Sequence, residues 1–167
     1  LKFSQTKKSP ISIDMIASNN AQSKGLRFAN LFKIKKKIYN FKRKFLIERK
    51  IISDLKKENI KLICLAGFMV ILSKNFIKKF NGKILNIHPS LLPKYKGLNT
   101  HQRAIENNEK YSGCTVHFVN SKLDSGKIIL QKKVKITKNE TPNSLAKKVL
   151  SYEHKIYPKA IKKIFNL

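Results

Sequence analysis

The sequence predicts an α/β domain with a mostly parallel sheet flanked by helices and an antiparallel hairpin near one edge. Three observations carry this. Short continuous apolar runs end in glycine or polar loops, as in the run closed by Gly67. Segments with helical spacing of apolar residues stand between those runs. After Gly113 the alternation stops and two extended runs follow one another directly. Strands alternating with helices point to parallel pairing, and consecutive extended runs point to a hairpin.

The elements follow in order. Leu1 to Gln5 reads as the end of a helix whose start is absent, and the chain opens without methionine, so an N-terminal truncation is expected. Ile11 to Ala17 has strand character, and Ala21 to Phe32 reads as a helix after Ser18-Asn19-Asn20. From Arg43 to Glu58, Leu46, Ile47, Ile51, Ile52 and Leu55 recur at helical spacing, which predicts an amphipathic helix with one buried face. Lys61 to Ala66 is a short apolar run, expected to be a central strand buried on both faces. A short helix, Lys74 to Phe80, leads to a second such strand, Lys83 to Ile87. Thr115 to Val119 and Lys127 to Ile136 form the hairpin, joined by a short turn. Thr141-Pro142 is a helix start, with the Thr hydroxyl able to cap free N–H groups and Pro tolerated in the first turn. Leu145, Val149, Tyr152, Ile156, Ala160 and Ile164 are the apolar stripe of that last helix. The six glycines never fall in GxGxxG or Walker spacing, so no glycine-rich phosphate loop is present in this sequence.

Bulk properties narrow the function. At 167 residues, 41% of them hydrophobic, the chain suits a single domain with a sizeable core. No apolar run approaches the roughly 20 residues that span a bilayer, so a soluble, cytoplasmic protein without a membrane partner is expected. Cys64 and Cys114 sit in apolar stretches without CxxC or Cys/His ligand spacing. Both are expected to be reduced and buried, and no metal is expected. The formal charge of +28 would suit nucleic acid. Yet only Arg27, Arg43, Arg49 and Arg103 are arginines, so lysine supplies the other 33 of the 37 cations, spread along the whole chain. Bidentate base or phosphate recognition favours arginine. The charge is therefore read as compositional bias that also attracts a polyanionic small substrate, with a lysine-rich nucleic-acid-binding module as the competing class.

The most unusual stretch is Asn86-Ile87-His88-Pro89-Ser90-Leu91-Leu92-Pro93, directly after a buried strand. Ligands in open α/β sheets bind outside the carboxyl ends of strands. Asn86 and His88 are two apart and project to one side of an extended chain. A carboxamide that polarises a carbonyl beside an imidazole that moves a proton suits acyl or formyl transfer. A core histidine and a turn asparagine would also account for the pair. Asp124, in Leu123-Asp124-Ser125-Gly126, differs from most of the nine acids, which lie in lysine-rich helical surfaces or loops. It is either a turn former or a carboxylate that faces the imidazole and holds a water.

These motifs, taken together and in order, resemble the folate-dependent formyltransferases of the phosphoribosylglycinamide type. The resemblance rests on Leu65-Ala66-Gly67-Phe68-Met69, on Asn86 through Tyr95 with Gly97-Leu98-Asn99-Thr100-His101, on Leu123 to Gly126, and on Glu153-His154-Lys155-Ile156-Tyr157-Pro158. It covers nearly the whole chain. The wider family also contains methionyl-tRNA formyltransferase and formyltetrahydrofolate deformylase, which share the Asn-x-His and Ser-Leu-Leu-Pro elements. Gly67-Phe68-Met69, Lys94-Tyr95 and His101 favour the purine enzymes.

The resemblance implies a Rossmann-like fold forming one formyltransferase domain over residues 1–167, as monomer or homodimer. It implies transfer of the formyl group of 10-formyltetrahydrofolate, a co-substrate, to the amine of 5-phosphoribosylglycinamide in purine synthesis. His88 would be the proton donor, Asn86 would polarise the formyl group and Asp124 would tune His88. Met69, Val70, Ile71 and Leu72, with the loop Asn120, Ser121, Lys122, Leu123 and Asp124, would line the folate pocket. Lys44 occupies the place of a basic folate contact. Glu153 with Leu150, Ser151 and Tyr152 would face the glycinamide substrate. His101, His117 and His154 are left as structural or supporting. Val70 stands where many relatives carry arginine, and Leu150 replaces a more polar residue. The family's first strand and phosphate loop have no counterpart in this sequence, so the chain as given is expected to bind the phosphorylated substrate poorly.

Overall fold

The computed structural model describes Ser4 and residues 9–167. The expected helix end at Leu1 to Gln5 therefore falls, Ser4 aside, outside the described residues. The chain divides into two compact units, residues 1–61 and 62–167.

In the first unit, strand β1 (Met15–Ser18) pairs in parallel with β2 (Lys35–Ile38), and helix α1 (Gly25–Leu31) connects them. Leu26 and Ala29 are the buried positions of α1. The β1 and α1 assignments agree with the predicted order, with shorter bounds. β2 is not among the elements the pattern predicts. Three consecutive lysines hide its strand character because no alternation survives, and the strand stays largely solvent-facing. Lysines on an exposed strand also discourage pairing with another chain.

Helix α2 (Lys44–Lys57) follows a 3-10 turn at Phe41–Arg43. Its inward residues are Ile47, Ile51, Ile52 and Leu55 together with Glu48, which is 5% exposed. Leu46, assigned to the buried stripe from spacing, is 52% exposed. Leu46 is one residue, about 100° of helix, ahead of Ile47 and so turns off the face. Tyr39 ties α2 to the end of β2 through its hydroxyl, which donates to Asp54 Oδ2 at 2.8 Å.

The second unit holds a four-stranded sheet in the order β3 (Leu62–Leu65), β4 (Lys83–His88), β5 (Tyr111–Phe118), β6 (Ile128–Lys135). β3 and β4 are parallel, with α3 (Lys74–Lys79) between them, and the other two pairings are antiparallel. The hairpin at a sheet edge is therefore present. β3 departs from expectation: in this sheet it pairs with β4 alone, its residues are half-buried or exposed, and Cys64 is exposed rather than buried. A short apolar run does not distinguish a central strand from one at the end of its sheet. Cys114, on β5, is buried as expected. Helix α4 (Thr100–Glu106) is a further unpredicted element, entered through Asn99 in the left-handed conformation.

Helix α5 (Pro142–Phe165) starts as its sequence dictates. The Thr141 side chain accepts from the Ser144 N–H, Ser144 returns the bond to the Thr141 N–H, and Pro142 occupies the first turn. Its predicted stripe packs on one face of the sheet. Leu145, Val149, Ile156 and Ala160 join Leu85, Ile87, Cys114, Val116, Ile129 and Val134 in one core, flanked by Tyr152 and Ile164. Each fully buried Leu or Val there contributes roughly 1.5–3 kcal/mol. Because strand side chains alternate, burying Leu85 and Ile87 under α5 turns Asn86 and His88 to the other face.

Candidate active site

Three elements of the second unit build the site. β4 presents Asn86 and His88, and in the antiparallel register β5 sets His117 opposite Asn86 and Thr115 opposite His88. All four share the face away from α5. The connection from β5 to β6, residues 119–127, folds over that face and carries Asp124. The expected short turn is thus a longer loop, and Gly126 explains its path. A Cβ there would lie 1.7 Å from the Phe118 carbonyl oxygen, so only glycine allows the loop to return this close to the strand.

The Asp124 carboxylate faces both imidazoles. Its Oδ2 accepts from the Gly97 N–H at 2.9 Å and stands 3.4 Å from His88 Nδ1, while Oδ1 stands 3.6 Å from His117 Nε2. His88 is 6% exposed, and its Nε2 donates to the Tyr95 carbonyl at 2.8 Å. His117 donates from Nδ1 to the carbonyl of Phe118 at 2.8 Å. Burial lowers the His117 pKa, outweighing the Phe118 carbonyl and Asp124, which raise it. The neutral ring then has a free lone pair on Nε2, and the Asn86 Nδ2 donates to it at 3.3 Å. That bond fixes which end of the Asn86 carboxamide is the donor end, leaving its second N–H for a carbonyl oxygen.

The segment after β4 is held from below by Thr115, which is fully buried. Its hydroxyl donates to the Ser90 carbonyl at 2.6 Å and accepts from the Leu92 N–H at 3.2 Å and from Gln131 Nε2 at 2.9 Å. The Leu92–Pro93 peptide is cis. Ser90 Oγ closes the turn by donating to the Lys94 carbonyl at 2.7 Å.

Of the residues singled out from sequence, Asn86, His88 and Asp124 come together as one group. Asn120, Ser121, Lys122 and Leu123 share the Asp124 loop, where Asn120 Oδ1 accepts from the Lys122 N–H at 2.9 Å. Met69, Val70, Ile71 and Leu72 lie in the loop after β3. Since Leu65 pairs with Asn86 in parallel, that loop leaves the sheet at the same end as His88. Met69 and Ile71 are 71% and 59% exposed, whereas Leu72 points into the core. Lys44 is exposed at the start of α2, in the first unit. Leu150, Ser151, Tyr152 and Glu153 lie on α5, and among the described residues no hydrogen bond or ion pair joins them to the Asn86–His88–Asp124 group. Tyr152 has Lys132 and Lys155 over its ring at 5.3 and 5.4 Å. Burial raises the Glu153 pKa.

His117 is the residue that sequence reasoning underrated. Its position carries no local signal; only the β4–β5 register places it against Asn86. His101 is half-buried on α4, its Nδ1 has no hydrogen-bond partner, and burial lowers its pKa.

The formyl transferase family model matches residues 2–161. Phosphoribosylglycinamide formyltransferase of Haemophilus influenzae is 43% identical over 92% of this chain and 74% of its own length. The human trifunctional purine biosynthetic protein adenosine-3 is 43% identical over 89% of this chain, which spans 15% of that protein. The crystal structure of phosphoribosylglycinamide formyltransferase from Anaplasma phagocytophilum superimposes with a TM-score of 0.91 at 42% identity, covering 96% of this chain and 76% of that one. A chain matched by the family model over residues 2–161, and this similar to these relatives along nearly all its length, belongs to the formyl transferase family, among the phosphoribosylglycinamide formyltransferases.

Proposed function

We propose that the protein transfers the formyl group of 10-formyltetrahydrofolate to the amine of 5-phosphoribosylglycinamide in purine biosynthesis. The observation that carries this reading is the convergence of a carboxamide donor, a buried imidazole and a carboxylate on one sheet face. The substrate amine attacks the formyl carbon, and the free Asn86 N–H stabilises the tetrahedral oxyanion. The amine proton leaves through a water held by Asp124 and through His88, and reaches the folate nitrogen as its bond to the formyl carbon breaks. The exposed Met69 and Ile71, the backbone of Val70 and Leu72 and the Asn120–Asp124 loop offer apolar surface and backbone groups to the folate ring. Lys44, in the first unit, is the basic folate contact that the family resemblance implies. Glu153, whose burial favours a protonated carboxyl, and Leu150, Ser151 and Tyr152 are the proposed contacts to the glycinamide. The family match over residues 2–161 supports reading residues 1–167 as one formyltransferase domain; a cytoplasmic location and a monomeric or homodimeric state are part of the same proposal. No helix of the described residues is long and apolar enough to cross a membrane.

The test is formyl transfer by the purified protein, with product analysis in the presence and absence of the glycinamide. Formylated amine is the expected product, and release of free formate alone would instead indicate hydrolysis. Asn86→Ala should lower kcat about 10²- to 10³-fold and His88→Ala about 10²- to 10⁴-fold. Full activity in either variant overturns the assigned roles.

A further inference from the structure

The loop after β4 contains a feature that the reaction scheme leaves unused. Tyr95 adopts φ +55°, a left-handed conformation that a bulky residue holds only when its surroundings impose it. Here they do so from three sides. The Tyr95 hydroxyl donates to Glu109 Oε1 at 2.9 Å, and the same oxygen accepts from Lys94 Nζ at 2.6 Å. The Arg103 guanidinium lies over the Tyr95 ring at 5.1 Å and donates to the Lys96 carbonyl at 2.8 Å. Lys94 and Tyr95 hold the Glu109 carboxyl below its usual range, so it remains an acceptor. Burial raises the Tyr95 phenol above its usual range, so it remains a donor.

This fixture ends on the catalytic pair. The Tyr95 carbonyl receives His88 Nε2 at 2.8 Å, and two residues later the Gly97 N–H holds Asp124 Oδ2 at 2.9 Å. A carbonyl can only accept, so it requires the proton on Nε2 of the neutral ring. Nδ1, 3.4 Å from Asp124, is left as the nitrogen able to gain and lose a proton.

We propose that Tyr95 and Glu109 are positioning residues: by holding the Tyr95 carbonyl against His88 they fix its neutral tautomer as Nε2–H and reserve Nδ1, beside Asp124, for proton exchange. The proposal rests on the reading of His88 as the proton-moving residue. Tyr95→Phe keeps the ring and the carbonyl but removes the bond to Glu109. Glu109→Ala removes the acceptor, and Glu109→Gln retains one.

Long-range proton–nitrogen correlation spectra of the full ¹⁵N-labelled chain, with His88 assigned by comparison with His88→Ala, report the tautomer directly. The expected result is Nε2–H in the wild type and a measurable Nδ1–H population in Tyr95→Phe and Glu109→Ala. With it, kcat should fall about 3- to 10-fold, the size of one lost hydrogen bond, while KM for both substrates stays within about twofold. Glu109→Gln should restore most of both. An Nδ1–H wild type, or an unchanged tautomer in both variants whatever happens to kcat, overturns the proposal. Failure of the formyl-transfer reading is distinct: the wild type would lack transferase activity, or His88→Ala would keep it, whatever the tautomer.

Discussion

Replacing His117 by phenylalanine tests how the site prepares Asn86. The ring is buried at 2% exposure, so phenylalanine keeps most of its packing but removes both ring hydrogen bonds, the one Nδ1 donates to the Phe118 carbonyl and the one Nε2 accepts from Asn86. Of the two, only the Nε2 lone pair, 3.3 Å from Asn86 Nδ2, holds the carboxamide donor end in place. A neutral hydrogen bond of this kind is worth about 0.5–1.5 kcal/mol, so an Asn86 freed to flip should lower kcat about 2- to 12-fold. Removing the carboxamide itself in Asn86→Ala should cost about 10²- to 10³-fold, because the oxyanion donor is then gone. KM should barely move in the phenylalanine variant, since the lost contact acts on the developing oxyanion. Acid gives an independent reading. His117 has its folded pKa lowered from 6.5 by burial, so its contribution is complete above that value and is lost as pH falls through the lower folded value. Protonation there turns Nε2 into a donor facing the Asn86 N–H. The corresponding acid loss of kcat should be present in the wild type and absent in His117→Phe. Steady-state kinetics across pH, beside urea unfolding of the same samples, decide the matter. Wild-type kcat in the variant, or a loss as large as that of Asn86→Ala, would refute this role.

Gly126→Ala should destabilise the protein by about 1–3 kcal/mol and lower kcat about 100-fold by lifting Asp124 off the imidazoles, because its Cβ meets a backbone oxygen that cannot rotate away; urea midpoints and kcat near wild type would refute the loop geometry. Thr115→Val keeps the shape but strands the Leu92 N–H and the Ser90 carbonyl, so unfolding free energy should drop by about 2 kcal/mol, and an unchanged midpoint would contradict that network. Glu140 accepts from Thr137, Lys148 and Ser144, and these bonds hold its carboxyl down from 4.5 to about 2. Its stabilisation is present above pH 4.5 and lost as pH falls towards 2. Discounted for solvent screening it amounts to about 1–2 kcal/mol, and Glu140→Gln should flatten unfolding free energy against pH over that window; an unchanged slope would reject it.

Legibility in the sequence followed locality. The Thr141-Pro142 start, the α5 stripe and the apolar run of β4 are properties of a few adjacent residues, and the folded chain agrees with them. The Asn86–His88 pair was visible because spacing by two in a strand is a local rule. β2 was not, since Lys35, Lys36 and Lys37 pair through backbone groups that side-chain pattern does not report. The apolar run of β3 could not reveal that its sheet gives it a neighbour on one side only. His117 required knowing which residue of β5 lies beside Asn86, which depends on register across a long separation. Asp124 was found through its turn and its family resemblance, whereas its contact with both histidines arises from a loop path set by Gly126.

The two faces of β4 divide its labour by parity. Odd-numbered Leu85 and Ile87 answer to α5, and even-numbered Asn86 and His88 answer to whatever occupies the site. Injury to the first pair should be recorded as fewer folded molecules, each still competent, and injury to the second as a full complement of folded molecules that turn over slowly. A strand so partitioned lets its chemistry be rewritten without renegotiating its core, and lets its core be repaired without touching its chemistry.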